Sequence, residues 1–441
     1  MQSEVGIMDA IIAGVNQFPQ LSGWKLTQTK TTSQEIYLVR QEMDMARTQE
    51  VLQYQLTVYL PTETDGSQRL GLATVVLHPS MTDSEISQKI SQAVFASQFI
   101  HNPPFPLVKP DGAQTTNPHA KREMDLVDKA IALGKAMTQA APKGKGWLNS
   151  GEIFIHRIQT RIRNSEGIDC IEEGDHGFFE VIITHPSKGE EVEIYKSMKF
   201  TGFPLNFLNE SLEESYYFAQ QRSLAQPTPS SRTQLPVILG GEAVPEFFHY
   251  YLAHASAKMV YEEISTQKPG DSVHGTHDIL EDQISIRLDP HLDGGAGTGF
   301  FDTDGFLWYP AQIIQNGVLK QYWGNTRYAH YVGCPPTGDL SNFVVQAGKT
   351  GIDEMRSDPH YELVAFSSFE MEAVTGDFAG EIRLGWYDDG NQKIPITGGS
   401  VSGNIHNVQS HLRLSKETVQ LGNYQGPSRV RMMGATIAGC M

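Results

Sequence analysis

The stretch VILGGEAVPEFFHYYLAHASAK, residues 237–258, decides how the chain is read. Val237, Ile238 and Leu239 form a short apolar run suited to a buried strand, and Gly240-Gly241 breaks it. A helix is expected to begin near Pro245, whose missing N–H would have no partner in a first turn anyway. That helix carries His249 and His254, five residues apart. At about 100° per residue, side chains at i and i+5 diverge by about 140°. One ion would therefore need a distorted helix or a third ligand to engage both. Tyr250 stands where a His-Glu zinc helix carries its water-activating carboxylate. Two readings stay open on these residues alone: a pair of metal ligands, or two histidines hydrogen-bonded in the core.

Working outward, a length of 441 residues exceeds what one core usually organises, so two domains are expected. Hydrophobic residues at 39% and charged residues at 19% are those of an ordinary globular protein. A net charge of −17 with no Lys/Arg run argues against nucleic-acid binding and against docking on an anionic membrane. The N-terminal run MQSEVGIMDAIIAGV has an acidic residue and no basic region before its apolar part, unlike a secretory signal. No apolar run approaches the roughly 20 residues that cross a bilayer. The cysteines, Cys170, Cys334 and Cys440, are odd in number and far apart, which suits a reducing cytoplasm better than a disulfide framework.

The expected fold class is α+β with two domains. Residues 1–225 read as an N-terminal mixed α/β-sheet domain, with strands at 23–31, 35–45, 50–60 and 70–77, then 151–162, 177–184 and 191–199. Helices are expected at 5–18, from the Thr82–Glu85 capping box to about 99, at 122–140 and at 208–224. Asn164-Ser165-Glu166-Gly167 reads as a turn, and QPTPSSR (226–232) has the composition of a linker. Residues 233–441 read as a mostly antiparallel, barrel-like β domain that carries the opening helix. Short strands there are expected at 284–288, 306–315, 318–323, 342–346, 361–367, 381–387 and 429–433. Asn316-Gly317 and Asp389-Gly390 mark tight hairpins.

Other candidates for chemistry are weaker. The glycine cluster 293–299 (DGGAGTG) lacks the Lys-Ser/Thr ending of a phosphate loop and precedes Phe300-Phe301, not a helix. A turn whose backbone approaches another chain explains it better. His274 and His277 have metal-compatible spacing but lie in a polar loop, where solvated histidines are expected. Asp302 and Asp304 read as turn residues, and Cys440 is either a soft ligand or an inert thiol. No G-x-S-x-G elbow is present.

Several ordered motifs of the second half resemble the TldD/PmbA family. Ile313–Gly333 (IIQNGVLKQYWGNTRYAHYVG) is similar to its "IENG-LK-Y--DTRYAKKLG" segment. Phe301-Asp302-Thr303-Asp304-Gly305, Pro336-Thr337-Gly338, Val374–Phe378 (VTGDF), Val401–Asn404 (VSGN) and Ala435–Gly439 (ATIAG) match further motifs in the same order. Asn164–Gly167 resembles a motif of the family's first domain, and the likeness is strongest from Val237 onward.

The resemblance implies a two-domain fold, a dimer and a peptide-binding cleft over the C-terminal domain. In the TldD branch, zinc is held by H-E-x-x-x-H and a cysteine near the end. His249 and His254 fall on the two histidines, so they are the metal ligands the resemblance implies here. Tyr250 takes the glutamate position, and Leu421-Gly422 takes that of the cysteine. The general base and third ligand are thus both replaced. Met259-Val260-Tyr261 and Asp289–Leu292 resemble the PmbA/TldE branch, which lacks the motif.

The expected function is therefore that of a PmbA/TldE-like subunit of a cytoplasmic metallopeptidase. Its site would be degenerate and without catalytic residues of its own, and zinc would be absent or supplied by a TldD-like partner. The alternatives are an independently active zinc peptidase using His249 and His254, and a homodimeric peptide-binding protein without catalysis.

Overall fold

A computed structural model describes residues 4–110, 124–140, 144–230 and 235–440. Alternating apolar and polar residues build six long strands in the first half. They are β1 (Gly23–Val39), β2 (Glu42–Thr64), β3 (Ser67–Leu77), β4 (Trp147–Asn164), β5 (Asp169–Pro186) and β6 (Glu191–Thr201). They form one sheet in the order β3-β2-β1-β4-β5-β6, antiparallel at every pairing.

The residues expected as separate strands at 23–31 and 35–45 are mostly one strand. The polar run between them is held from both sides: Thr32 faces Glu50 on one neighbour and Arg157 on the other. Ladder hydrogen bonds thus carry β1 through the place where its apolar alternation pauses. The chain reverses only at Arg40, which adopts φ 55°.

Helices cover the sheet, packing through two cores. α1 (Glu4–Val15) and α2 (Asp83–Ser97) lie over β1–β3, where Ile11 and Ile90 meet Tyr54 and Leu56. The capping box forms as expected, with Thr82 and Glu85 exchanging bonds at the start of α2. α3 (Leu126–Gln139) and α4 (Leu205–Ser223) lie over β4–β6, through Leu133, Leu212, Phe179 and Ile183. Asp125 caps α3; the expected start of that helix at Arg122 lies outside the described residues.

The segment with linker composition is not loose. Gln226–Pro227 forms β7, Thr228 is fully buried, and its carbonyl accepts the Cys440 N–H at 2.9 Å. Residues 231 and 232 of that segment lie outside the described residues.

The second half starts from β8 (Val237–Gly240) and α5 (Ala243–His254). Beyond them run β9 (Ile286–Leu288), β10 (Ala311–Gln315), β11 (Val318–Leu319) and β12 (Phe343–Val345). Next come β13 (His360–Met371), β14 (Asp377–Asp388), β15 (Lys393–Thr397) and β16 (Ser400–Asn404). The last five are β17 (Arg413–Leu414), β18 (Thr418–Leu421), β19 (Tyr424–Pro427), β20 (Arg429–Met432) and β21 (Thr436–Ala438).

One sheet runs β11-β10-β9-β12-β19-β18. The other runs β17-β20-β8-β13-β14-β15-β7, with β16 joined to both β14 and β21, and curves as a half-barrel. Most pairings are antiparallel; β8 with β13, β12 with β19 and β7 with β15 are parallel. The architecture is α+β, as the sequence predicts. The Asn316-Gly317 hairpin also forms, with both residues at positive φ. The expected strand 306–315 is confined to β10, because Phe301 instead bridges Leu307 across a turn.

That turn joins the two halves. Phe301 and Leu307 pack on Ile162 and Cys170 of the first sheet, and Lys25 forms an ion pair with Asp304. Asp302 serves the turn as expected, since its Oδ1 accepts the N–H groups of Asp304 at 2.8 Å and Phe306 at 2.9 Å. Its Oδ2 is buried without a partner among the described residues. Burial, then the charges of Asp304 and Asp339, push this carboxyl up to about 7. The folded chain therefore holds a proton here that the unfolded chain loses near pH 4, so stability falls as pH rises from about 4 to 7 and then levels. Asp302→Asn keeps the Oδ1 acceptor and removes the ionisation. It is expected to stabilise the protein more at pH 8 than at pH 5, by roughly 2 kcal/mol, as read from urea melts at the two pH values.

Candidate functional site

The site is built around the C-terminal end of α5. Gly241, at φ 63°, turns the chain from β8 into the helix; a Cβ there would stand 2.7 Å from the Val364 carbonyl oxygen. Most of α5 is then enclosed. Phe247, Phe248, Tyr250, Tyr251, Leu252 and His254 are all buried. The helix begins at Ala243, so Pro245 lies within its first turn as expected.

His249 and His254 leave the helix toward different surroundings, as a five-residue spacing dictates. His249 is 40% exposed, with Nδ1 2.9 Å from Glu246 and its ring against Phe343. Burial alone would raise the Glu246 carboxyl; the contact with His249 instead holds it below the usual carboxylate range. The His254 ring lies 4.4 Å from that of Tyr250, and its Nε2 is buried without a partner among the described residues. Burial pushes its pKa down, against the opposing pull of the Val374 and Ala373 backbone.

Tyr250 links His254 to a residue that the sequence reading did not single out. Its hydroxyl lies 3.4 Å from Nε2 of His406, and His277 stacks on the same imidazole at 5.9 Å. Asn404 orders this corner by accepting the His406 N–H at 2.9 Å and donating to Asp377 at 2.8 Å. Gly376 allows the close approach: at φ 75°, a Cβ would sit 2.4 Å from Ile405 and 3.1 Å from Tyr250. Asn404 lies in the VSGN motif and so carried a sequence signal. His406 carried none, because no spacing relates it to α5.

The remaining candidates fall elsewhere. His274 is 2% exposed, not solvated as expected, with Nδ1 3.2 Å from Gln409. The polar composition of its loop hid the fact that Tyr251 and Gln409 close over it. His277 is exposed. Cys440 is also exposed and lies at Gly398, on the far strand end that meets Thr228. Leu421 is half-buried against both cores. The glycine cluster approaches a segment of its own chain, where the sequence reading expects another chain: Gly297 N–H donates to Asn342 at 2.8 Å, and a Cβ at Gly295 would strike that side chain at 2.7 Å.

Zinc in such a site would need about three protein ligands around one point. Among the described residues, no three His, Cys, Asp or Glu side chains are so arranged. The donors present at α5 therefore do not fit the ion. What the corner does offer is an open groove of about 750 Å³ beside the 372–377 turn. Glu370, Glu372, Asp377 and Glu381 line it, together with Asn404, Asn407 and the edge strand β21 at Thr436. These are hydrogen-bond acceptors and open backbone, suited to holding a chain.

Comparison with known proteins agrees with this architecture. Residues 232–439 match the family described as PmbA/TldA metallopeptidase C-terminal domain. The second half of the chain is thus a PmbA/TldD-family C-terminal domain, which bears out the resemblance read from its motifs. The chain is 24% identical to the metalloprotease PmbA of Escherichia coli O157:H7 over 195 residues, 43% of this chain and 42% of that protein. It is 23% identical to a zinc metalloprotease TldD homologue of Saccharolobus solfataricus over 264 residues, 55% of this chain and 57% of that one. The chain thus spans about half the length of these curated relatives. The crystal structure of TldE from Thermococcus kodakarensis superposes with a TM-score of 0.76 at 17% identity, covering 98% of this chain and all of the other. That match extends the likeness of fold to the first half.

Because His254 is buried neutral, acidification through the ordinary imidazole range costs stability: the unfolded chain binds a proton that the folded one refuses. In an NMR titration His254 is expected to titrate below 6.5, and Tyr250→Ala, by admitting water, to move it back toward that value.

Proposed function

We propose that this chain is a PmbA/TldE-like subunit of a cytoplasmic metallopeptidase whose own zinc site is degenerate. A TldD-like chain would supply the zinc and the general base, and this chain would complete the cleft that holds the peptide. The observation that carries the reading is the Tyr250 ring packed 4.4 Å from His254, where the resemblance places a catalytic carboxylate. A phenol kept protonated by burial does not replace a carboxylate base near neutral pH. Leu421 in the cysteine position supplies a packing surface and no donor.

Peptide would lie extended in the groove beside β14 and β16. The outer side of β21 carries no strand partner among the described residues, which suits main-chain pairing with a bound segment. The likeness to a zinc metalloprotease TldD homologue supports peptide-bond hydrolysis as the reaction of the assembly. The cytoplasm is proposed from the three separated cysteines. No helix of the described residues is long and apolar enough to cross a membrane.

Elemental analysis and a peptidase assay of the purified chain test the reading. The expected result is far less than one zinc per chain, no chelator-sensitive cleavage, and capture of a TldD-like chain that brings both. About one zinc per chain, lost in His249→Ala/His254→Ala and accompanied by cleavage, would instead establish an independent peptidase. Peptide affinity with neither turnover nor a TldD-like partner would establish a homodimeric binding protein.

A further inference from the structure

Where α4 packs on the second half, three cations surround one buried carboxylate. Glu362, on β13, has no exposed side-chain surface. Its Oε2 accepts from Arg356 Nε at 2.9 Å and Lys393 Nζ at 3.2 Å, and its Oε1 from Arg356 Nη2 at 2.5 Å and Arg429 Nε at 3.0 Å. Burial opposes ionisation, but Arg356, Arg429 and Lys393 together hold the carboxyl down at about 2. The charge on Glu362 is therefore permanent, and three cations share it.

These groups border a cavity of about 460 Å³. Tyr217 and Phe218 of α4 and Trp386 of β14 form its apolar wall. Tyr217 stacks on Trp386 at 6.3 Å, and Lys393 sits over the same indole at 5.2 Å. At the rim, Glu214 is already paired with Lys196 and does not cancel the excess. Outside the rim, Asp353 acts on Arg356. Arg429 gives Nη1 to the Ser428 carbonyl, and among the described residues no bond to its Nη2 is seen. Arg356 and Lys393 are about one-third exposed, so their remaining N–H groups are open to the cavity.

We propose that this cavity binds a compact oxyanion, the phosphate or carboxylate group of a small ligand. Three cations converge on one buried carboxylate, more positive charge than that carboxylate neutralises, and Arg356 and Lys393 keep about one-third of their side-chain surface open. Here a surplus of positive charge is held against an aromatic wall, in a protein whose net charge is −17. Two guanidinium groups fixed by a shared carboxylate present planar donors of the kind that match oxyanions. An apolar wall with a few convergent polar groups is the usual composition of a small-ligand site. Glu362 is a positioning residue, and Arg356, Arg429 and Lys393 make the contacts. The site is separate from the groove at α5 and does not depend on the peptidase reading.

Calorimetric titration of the full chain at low ionic strength tests this, with inorganic phosphate and N-acetylglycine as separate probes against a chloride-matched control. One saturable site per chain is expected for at least one probe. The probe that binds identifies the source of the oxyanion. Lys393→Met keeps the stem on the indole and is expected to raise the Kd at least tenfold; Arg356→Met is expected to do the same in protein whose circular dichroism is unchanged. Absence of saturable binding by both probes, or an unchanged Kd in folded Lys393→Met, would overturn the proposal.

Discussion

The second half depends on one buried strand being hydrogen-bonded on both sides. Every residue of β8 is fully buried or nearly so, with β13 parallel on one edge and β20 antiparallel on the other. Backbone groups buried this deeply must find partners within the protein. The two ladders supply them, and so fix where β8 ends. Gly240-Gly241 then launches α5 from that point in a set direction, because the Val364 carbonyl leaves no room for a Cβ at Gly241. The places of His249, Tyr250 and His254 follow from this geometry.

Burial of α5 also decides what its polar side chains can do. A helix enclosed on most of its faces must satisfy or neutralise every polar group it carries. His254 remains neutral beside Tyr250, and the Tyr250 hydroxyl reaches His406 on a distant segment. His249 emerges near solvent and meets Glu246 on its own helix. The imidazoles are thus engaged by separate neighbours. The acceptor-lined groove begins where the 372–377 turn and Asn404 close over the helix end.

The two halves are held by contacts of different kinds. Near Phe301 the contact is apolar, with the Lys25–Asp304 ion pair beside it. Arg327 of the second half donates to Asn102 at 2.7 Å and lies over the Phe105 ring. At α4, rings of Tyr217 and Phe218 meet Trp386 above the Glu362 cluster. Together they fasten the second half to the first.

Much of this was legible in the chain itself. The apolar run of β8, the Gly-Gly break, the Asn316-Gly317 turn and the Thr82–Glu85 box act over a few residues, so local physics is enough to read them. The ordered motifs of the second half carried the family. The i, i+5 spacing of His249 and His254 already implied that they diverge. Other features were decided only by segments distant in sequence. The polar run of β1 stays extended because Glu50 and Arg157 flank it, and the 226–230 segment is pinned because residues 397 and 440 lie beside it. His274 is buried by Gln409, His406 is brought to Tyr250, and Arg356, Lys393 and Arg429 are gathered on Glu362. Sequence alone determined the short-range features, the β8 run, its Gly-Gly break and the Asn316-Gly317 turn, and the family of the second half. Tertiary structure decided which charges and imidazoles meet, because those distances are set by sheet pairing between residues far apart in the chain.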